Sequence, residues 1–166
     1  MSDIKDFDRM FRLDGKVALV TGGEALQRHQ LERDTDTRCP GSRGLGLHAA
    51  TAFLLAGAKK VFISARKNEG AQGIDQAVEK LNKLSVSGTA VGIAANVADT
   101  DDIARLVKKV QETDDKLDIL VCNAGATWGG PFDPTPDWGT QKVLDLNVRG
   151  VFNLARLQVF TSHCCG

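Results

Sequence analysis

Lys16–Gly23 reads KVALVTGG and Ser42–Gly46 reads SRGLG, with eighteen residues of different character, Glu24 to Gly41, between them. Lys16–Thr21 is a short valine-rich apolar run, the composition of a strand buried on both faces. Beyond the second piece, Leu45, Ala49, Ala52, Phe53 and Ala56 recur at helical spacing, and Gly57 supplies a stop. With the interruption closed, the order is strand, TGGSRGLG, helix. Glycines permit a tight turn and close backbone approach, and a helix N-terminus presents free N–H groups. That combination suits the pyrophosphate of a dinucleotide. The interruption itself, EALQRHQLERDTDTRCPG, carries seven charges and only Ala25, Leu26, Leu31 and Cys39 as apolar content, so it predicts an exposed, mobile loop.

Working outward, strand and helix signals alternate. Lys60–Ala65 (KVFISA) predicts a second strand, and 69–84 a second helix with Ile74, Ala77, Val78 and Leu81 on one side. Thr89–Asn96 predicts a third strand and Asp99–Glu112 a third helix, with Ile103, Leu106, Val107 and Val110 as its core stripe. Acids between Asp99 and Asp102 stand at the positive end of that helix, where they stabilise it. Leu117–Cys122 predicts a fourth strand. A loop with Gly129, Gly130, Pro131, Pro134 and Pro136 follows, then one long helix from about Asp137–Trp138 through VLDLNVRGVFNLARLQVF. Four such alternations predict an α/β doubly wound parallel sheet with right-handed crossovers.

Composition bounds the function classes. The 166 residues suffice for one domain. Lys plus Arg and Asp plus Glu both number 21, which gives no electrostatic reason to expect nucleic acid or an anionic membrane surface as partner. No run approaches the roughly eighteen apolar residues of a membrane span, and MSDIKDFDRM lacks the apolar stretch of a signal peptide. A cytoplasmic protein is the expectation. Cys39, Cys122, Cys164 and Cys165 show no C-x-x-C spacing, so no metal is assigned, and Cys122 in its apolar strand reads as a buried thiol.

Three motifs in order resemble the short-chain dehydrogenase/reductase family over roughly residues 12 to 157. The split TGG/SRGLG resembles the family's TGxxxGxG turn, and CNAG at 122–125 its NNAG motif, with a departure at Cys122. Asn147 in DLNVRGVF falls where the family carries a helix-borne active-site asparagine. Within the family, ILVCNAGATWGGPF and DLNV look most like 3-oxoacyl-carrier-protein reductases of the rhamnolipid-synthesis type. The resemblance implies a single partial Rossmann-like domain over 1–166, with about four strands and four helices. Residues 24–41 would be an inserted loop and 158–166 an aberrant tail. Gly23-Glu24 and Gln158-Val159 can each be encoded across a GT-bearing splice boundary. Retained intron sequence is therefore the hypothesis for both, and genomic DNA without such boundaries ends it.

The resemblance also implies site residues. Gly22, Gly23, Ser42, Arg43, Gly44, Leu45 and Gly46 would cradle the pyrophosphate of NADP or NAD. The second strand ends Ser64-Ala65-Arg66-Lys67. A basic residue there accommodates a 2′-phosphate where an acid would bind a free 2′-hydroxyl, so Arg66, with Arg43, favours NADP over NAD. The plainer reading leaves Arg66 and Lys67 as solvated charges. Asn96-Val97 stands where the family has an Asp-Val beside the adenine. Asn123, Ala124 and Gly125 would border the cofactor, with a purely structural turn role for Asn123 equally open.

In the family a tyrosine donates the proton to a substrate carbonyl, a lysine four positions later supports it, and a serine polarises the carbonyl. This sequence has no tyrosine, and the chain is expected to stop before the strand that would carry these groups. His29, His48 and His163 are badly placed to replace it. Only Asn147 would remain of the catalytic set, which predicts an inactive chain. Its substrate class by family is a small carbonyl or acyl compound. The missing strands would leave the fourth strand as an apolar edge, and closing the eighteen-residue loop would cost about 2.5 kcal/mol, with weakened cofactor binding. The competing reading is a non-catalytic truncated subunit that pairs with itself or with full-length relatives through the last helix. A different nucleotide-binding α/β domain is disfavoured by the absence of a GK[ST] phosphate loop.

Overall fold

In this computed structural model, residues 10–22, 41–66, 73–84, 86–127 and 136–162 are described, with main chain only at 41–43 and 159–162. Strand β1 (Val17–Thr21) is buried at every position, as its valine-rich sequence dictates. Helix α1 (Gly41–Leu55) follows, then β2 (Lys60–Ala65), α2 (Ile74–Asn82), β3 (Thr89–Ala94), α3 (Thr100–Thr113) and β4 (Ile119–Val121). The final helical run divides into α4 (Asp137–Leu144), a π-helical turn (Asp145–Gly150) and α5 (Val151–Ser162).

All neighbouring strands are parallel, in the order β3-β2-β1-β4. The first strand is therefore central. The order runs outward from β1 to β3, then returns to the other side of β1 for β4. This is a Rossmann-like α/β sheet, and the return marks a switch point where the C-terminal ends of β1 and β4 part company.

Alternate residues of each strand serve two cores. One face carries Ala18, Val20, Val61, Ile63 and Ala90 beneath Ala50 and Leu54 of α1 and Ile74, Ala77 and Leu81 of α2. The other carries Val17, Leu19, Phe62 and Ile93 beneath the α3 stripe and Leu154 of α5. The predicted stripe of α3 is fully buried. Asp99 caps the helix, its carboxylate accepting from the N–H groups of Asp101 and Asp102 at 2.9 Å each.

Three sequence expectations are corrected. The helix after the glycine pieces begins at Gly41, so the last residue assigned to the insertion is helical, and Ser42 to Gly46 lie in the first turns of α1 rather than in a turn before it. Residues 24–40, the rest of the insertion, lie outside the described residues. The fourth strand is three residues long and pairs with β1 from Ala18 to Val20. The single long helix runs without a gap from Asp137 to Ser162 but widens into a π turn at Asp145–Gly150.

Candidate functional site

The loops that leave β1 and β4 meet at the switch point. Gly22 follows β1 with φ +76°, a conformation that L side chains resist. Its N–H donates to the carbonyl of Ser64 at 2.7 Å, and a Cβ would lie 2.9 Å from Ala124 Cα and Asn123 Nδ2. From α1, Gly46 comes against the same point: a Cβ there would sit 2.7 Å from Gly22 O and 2.8 Å from Asn123 Nδ2. Strand end, helix and the opposing loop are thus in contact only because Gly22 and Gly46 lack side chains. Gly44 differs, since its nearest neighbour to an added Cβ is His48 at 3.9 Å. Among the described residues no atom forbids a side chain at Gly44.

Asn123 points inward. Its Nδ2 donates to the carbonyls of Thr21 (2.9 Å) and Gly22 (3.2 Å), so the amide fastens the two loops together. These bonds give Asn123 a part in the turn, one of the two roles that the sequence leaves open for it. Thr21 was not singled out in the sequence, yet it completes the junction: its Oγ1 accepts from the Ala124 N–H at 3.1 Å and donates to Val121 O at 3.4 Å. A threonine ending an otherwise aliphatic strand just before two glycines is the signal that could have found it. Cys122, beside Asn123, is half-buried, and burial pushes its thiol up from the ordinary range.

Asn147 sits in the π turn and reaches the loop after β4. Its Oδ1 accepts from the Ala126 N–H and its Nδ2 donates to the Ala126 carbonyl, both at 2.8 Å. Gly125 lies alongside, with Asn147 Oδ1 3.3 Å from where its Cβ would be. Both hydrogen-bonding atoms of the amide are therefore engaged with backbone.

The other predicted positions frame the same side of the sheet. Arg66 directly follows β2 and is exposed, whereas Lys67 lies outside the described residues. Leu45 is exposed on α1. Gly23 lies outside the described residues, and Ser42 and Arg43 are described by main chain alone. Asn96 is exposed; its N–H donates to Asp102 Oδ2 at 3.0 Å and its Oδ1 accepts from Ala98 N–H at 3.3 Å. Val97 is buried and packs its side chain into the second core. His48 is on the outward side of α1, and His29 and His163 lie outside the described residues. Among the described residues, no three His, Cys, Asp or Glu side chains gather to hold a metal ion. No helix among them is long and apolar enough to cross a membrane.

Comparison with known proteins agrees with this geometry. Residues 40–161 match the short chain dehydrogenase family. The rhamnolipids biosynthesis 3-oxoacyl-[acyl-carrier-protein] reductase of Pseudomonas aeruginosa is 36% identical over 143 residues, which is 86% of this chain and 46% of that protein. Among solved structures, the Pseudomonas aeruginosa RhlG/NADP active-site complex superposes with a TM-score of 0.70 at 34% identity, covering 90% of this chain and 48% of that one. A metagenomic short-chain oxidoreductase in complex with NADP gives a TM-score of 0.70 at 25% identity, over 90% and 57% of the two chains. The chain spans about half the length of the curated relatives it matches. The residue pattern, the sheet order and these matches agree: the chain belongs to the short-chain dehydrogenase family.

Proposed function

We propose that these 166 residues form the cofactor-binding portion of an NADP-dependent oxidoreductase acting on carbonyl or 3-oxoacyl groups, and that they do not complete turnover alone. One observation carries the cofactor reading. The backbone of Gly22, Gly44 and Gly46 forms a side-chain-free cradle at the switch point, beside the N-terminal end of α1. Gly22 and Gly46 are explained by contacts within the protein. Gly44 has no such contact among the described residues, and a closely approaching anion accounts for it.

In this reading the cradle and the first turn of α1 hold the pyrophosphate through backbone N–H groups. Arg66, at the end of β2, faces the ribose and selects a 2′-phosphate through its planar fork of donors, with Arg43 assisting from α1. Asn96 and Val97 border the adenine, while Ala124 and Gly125 line the opposite end. When bound, the cofactor supplies the hydride. Asn123 and Thr21 keep the two loops in register, and Asn147 holds the loop at Ala126. The step these residues lack is protonation of the substrate oxygen. A general acid must lie within hydrogen-bond reach of that atom; the sequence has no tyrosine for it, and the amide of Asn147 is already occupied. The eighteen residues ahead of Ser42 weaken the affinity, since they enter the chain beside the cradle.

Titration of the purified chain with NADPH and with NADH, followed by nicotinamide fluorescence, tests both parts. Saturable micromolar binding that favours NADPH is expected, with no oxidation of NADPH in the presence of a 3-oxoacyl substrate. Absence of saturable binding overturns the cofactor reading. Equal affinities overturn the role of Arg66, and steady oxidation overturns the incompetence.

A second reading has its own observation. Leu144, Val148 and Phe152 follow one another at four-residue spacing across α4, the π turn and α5, and all are exposed. They would suit self-association, or pairing with a full-length relative as a non-catalytic subunit. Co-elution of this chain with such a relative on size exclusion supports this reading, and separate peaks remove it.

A further inference from the structure

The π turn touches two loops at once. On one side Asn147 holds Ala126, beyond β4. On the other, three features address the loop between β3 and α3 and the first residue of α3. A Cβ on Gly150 would collide with the carbonyl of Val97, so α5 can approach only because that position is glycine. Arg149 Nη2 donates to the Ala98 carbonyl at 3.2 Å, while its Nε lies 3.4 Å from Asp145 Oδ1, one turn back in the same helical run. Asn153 Nδ2 donates to Thr100 Oγ1 at 3.2 Å. A π turn places one extra residue in the helical circuit. Here that residue lets the helix satisfy both sets of contacts, with Asn147 facing Ala126 while Arg149 and Gly150 face Val97 and Ala98.

We propose that Arg149 and Asn153 are positioning residues, which tie the π turn to the 96–100 loop so that whatever orders this loop also orders Asn147 and Ala126. The inference rests on the reading that Asn96 and Val97 border the adenine end of a nucleotide. It adds that the two ends of the site are mechanically linked through the chain's own helix, not only through the ligand that spans them. The adenine end then prepares the opposite loop before anything reaches it. Such a link requires a contiguous element with contacts at both ends, and the Ala98–Arg149–Asn147–Ala126 path supplies one.

The test uses 2′,5′-ADP, which carries adenine and a 2′-phosphate but no nicotinamide and so cannot touch Ala126. Amide exchange is followed by NMR at Asn96, Val97 and Ala126. Saturating 2′,5′-ADP is expected to shift Asn96 and Val97 and to slow exchange at Ala126 by about five-fold or more. In the double variant Arg149→Ala/Asn153→Ala the ligand still shifts Asn96 and Val97, but most of the slowing at Ala126 is lost; Arg149→Lys alone, which can still reach the Ala98 carbonyl, keeps it. A merely stabilising role would change exchange throughout α5 without altering the response to ligand. If the ligand shifts Asn96 and Val97 and leaves Ala126 unchanged, or if the double variant transmits as fully as the native chain, the coupling is overturned. If Asn96 and Val97 do not respond at millimolar ligand, the nucleotide reading falls and the coupling falls with it.

Discussion

At Gly46 the absence of one carbon decides whether α1 can rest on the end of β1. Gly46→Ala would place that carbon 2.7 Å from Gly22 O and 2.8 Å from Asn123 Nδ2. Neither neighbour can withdraw freely, because Gly22 is bonded to Ser64 and the Asn123 amide to two carbonyls. Overpacking of this kind costs about 2 kcal/mol, and thermal unfolding should register it as a lower Tm. Gly44→Ala, with open space around it, should leave Tm unchanged and weaken only nucleotide binding. At the opposite end of the sheet, Asp118 accepts from Val17 N–H at 3.0 Å and pairs with Lys16 at 3.0 Å and Lys116 at 3.2 Å. Burial works against its charge, but the Val17 N–H and the two lysines outweigh it and hold the carboxyl down at about 2. The folded value lies below the unfolded one, so the stabilisation is complete above about pH 4 and disappears as pH falls towards 2. Asp118→Asn should therefore lower Tm by about 3 °C at pH 7, an effect of about 1 kcal/mol after solvent screening. Native and variant should converge in acid; a constant gap down to pH 2 would contradict the assignment.

Elements with a strong internal period were legible in the sequence, and those shaped by neighbours were not. KVFISA gave β2 with both ends correct, and the stripe of Ile103, Leu106, Val107 and Val110 gave α3 to within a residue, although Asp99, read as its first residue, proves to be its cap. The π turn in the last helix escaped, because DLNVRG continues the helical pattern without a proline. Its contacts are with Val97 and Ala126, which are distant in sequence. The candidate site divides the same way: its glycines and Asn123 carry a sequence signature, whereas Thr21, Arg149 and Asn153 matter through partners visible only after folding. A second asparagine at the end of an element repeats the device seen at Asn147. Asn82, closing α2, donates from Nδ2 to Ala90 O at 3.0 Å and accepts from Ala90 N–H at 2.7 Å. Since β3 is an edge strand, this amide takes the place of a neighbouring strand at Ala90. Asn82→Ala should cost about 1–2 kcal/mol and increase thioflavin-positive aggregation at 37 °C; unchanged aggregation would remove the protective role.

For the whole molecule, the balance of charge offers no long-range repulsion to keep copies apart. Exposed Leu144, Val148 and Phe152 then dominate what the outer side of α4 and α5 presents. Phe152→Glu should reduce concentration-dependent association in light scattering without lowering Tm, since the ring is 67% exposed. Loss of Tm instead would mean that the ring is packed. The position of β1 has a further consequence, in time rather than in space. Val17 finds the carboxylate of Asp118 across 101 residues of chain, and β1 gains its second neighbour only from β4. On a ribosome adding about 5–20 residues per second, the first strand to emerge waits several seconds with one flank uncovered. A strand buried at every position of the folded chain is thus left half-covered throughout the synthesis of everything that later encloses it.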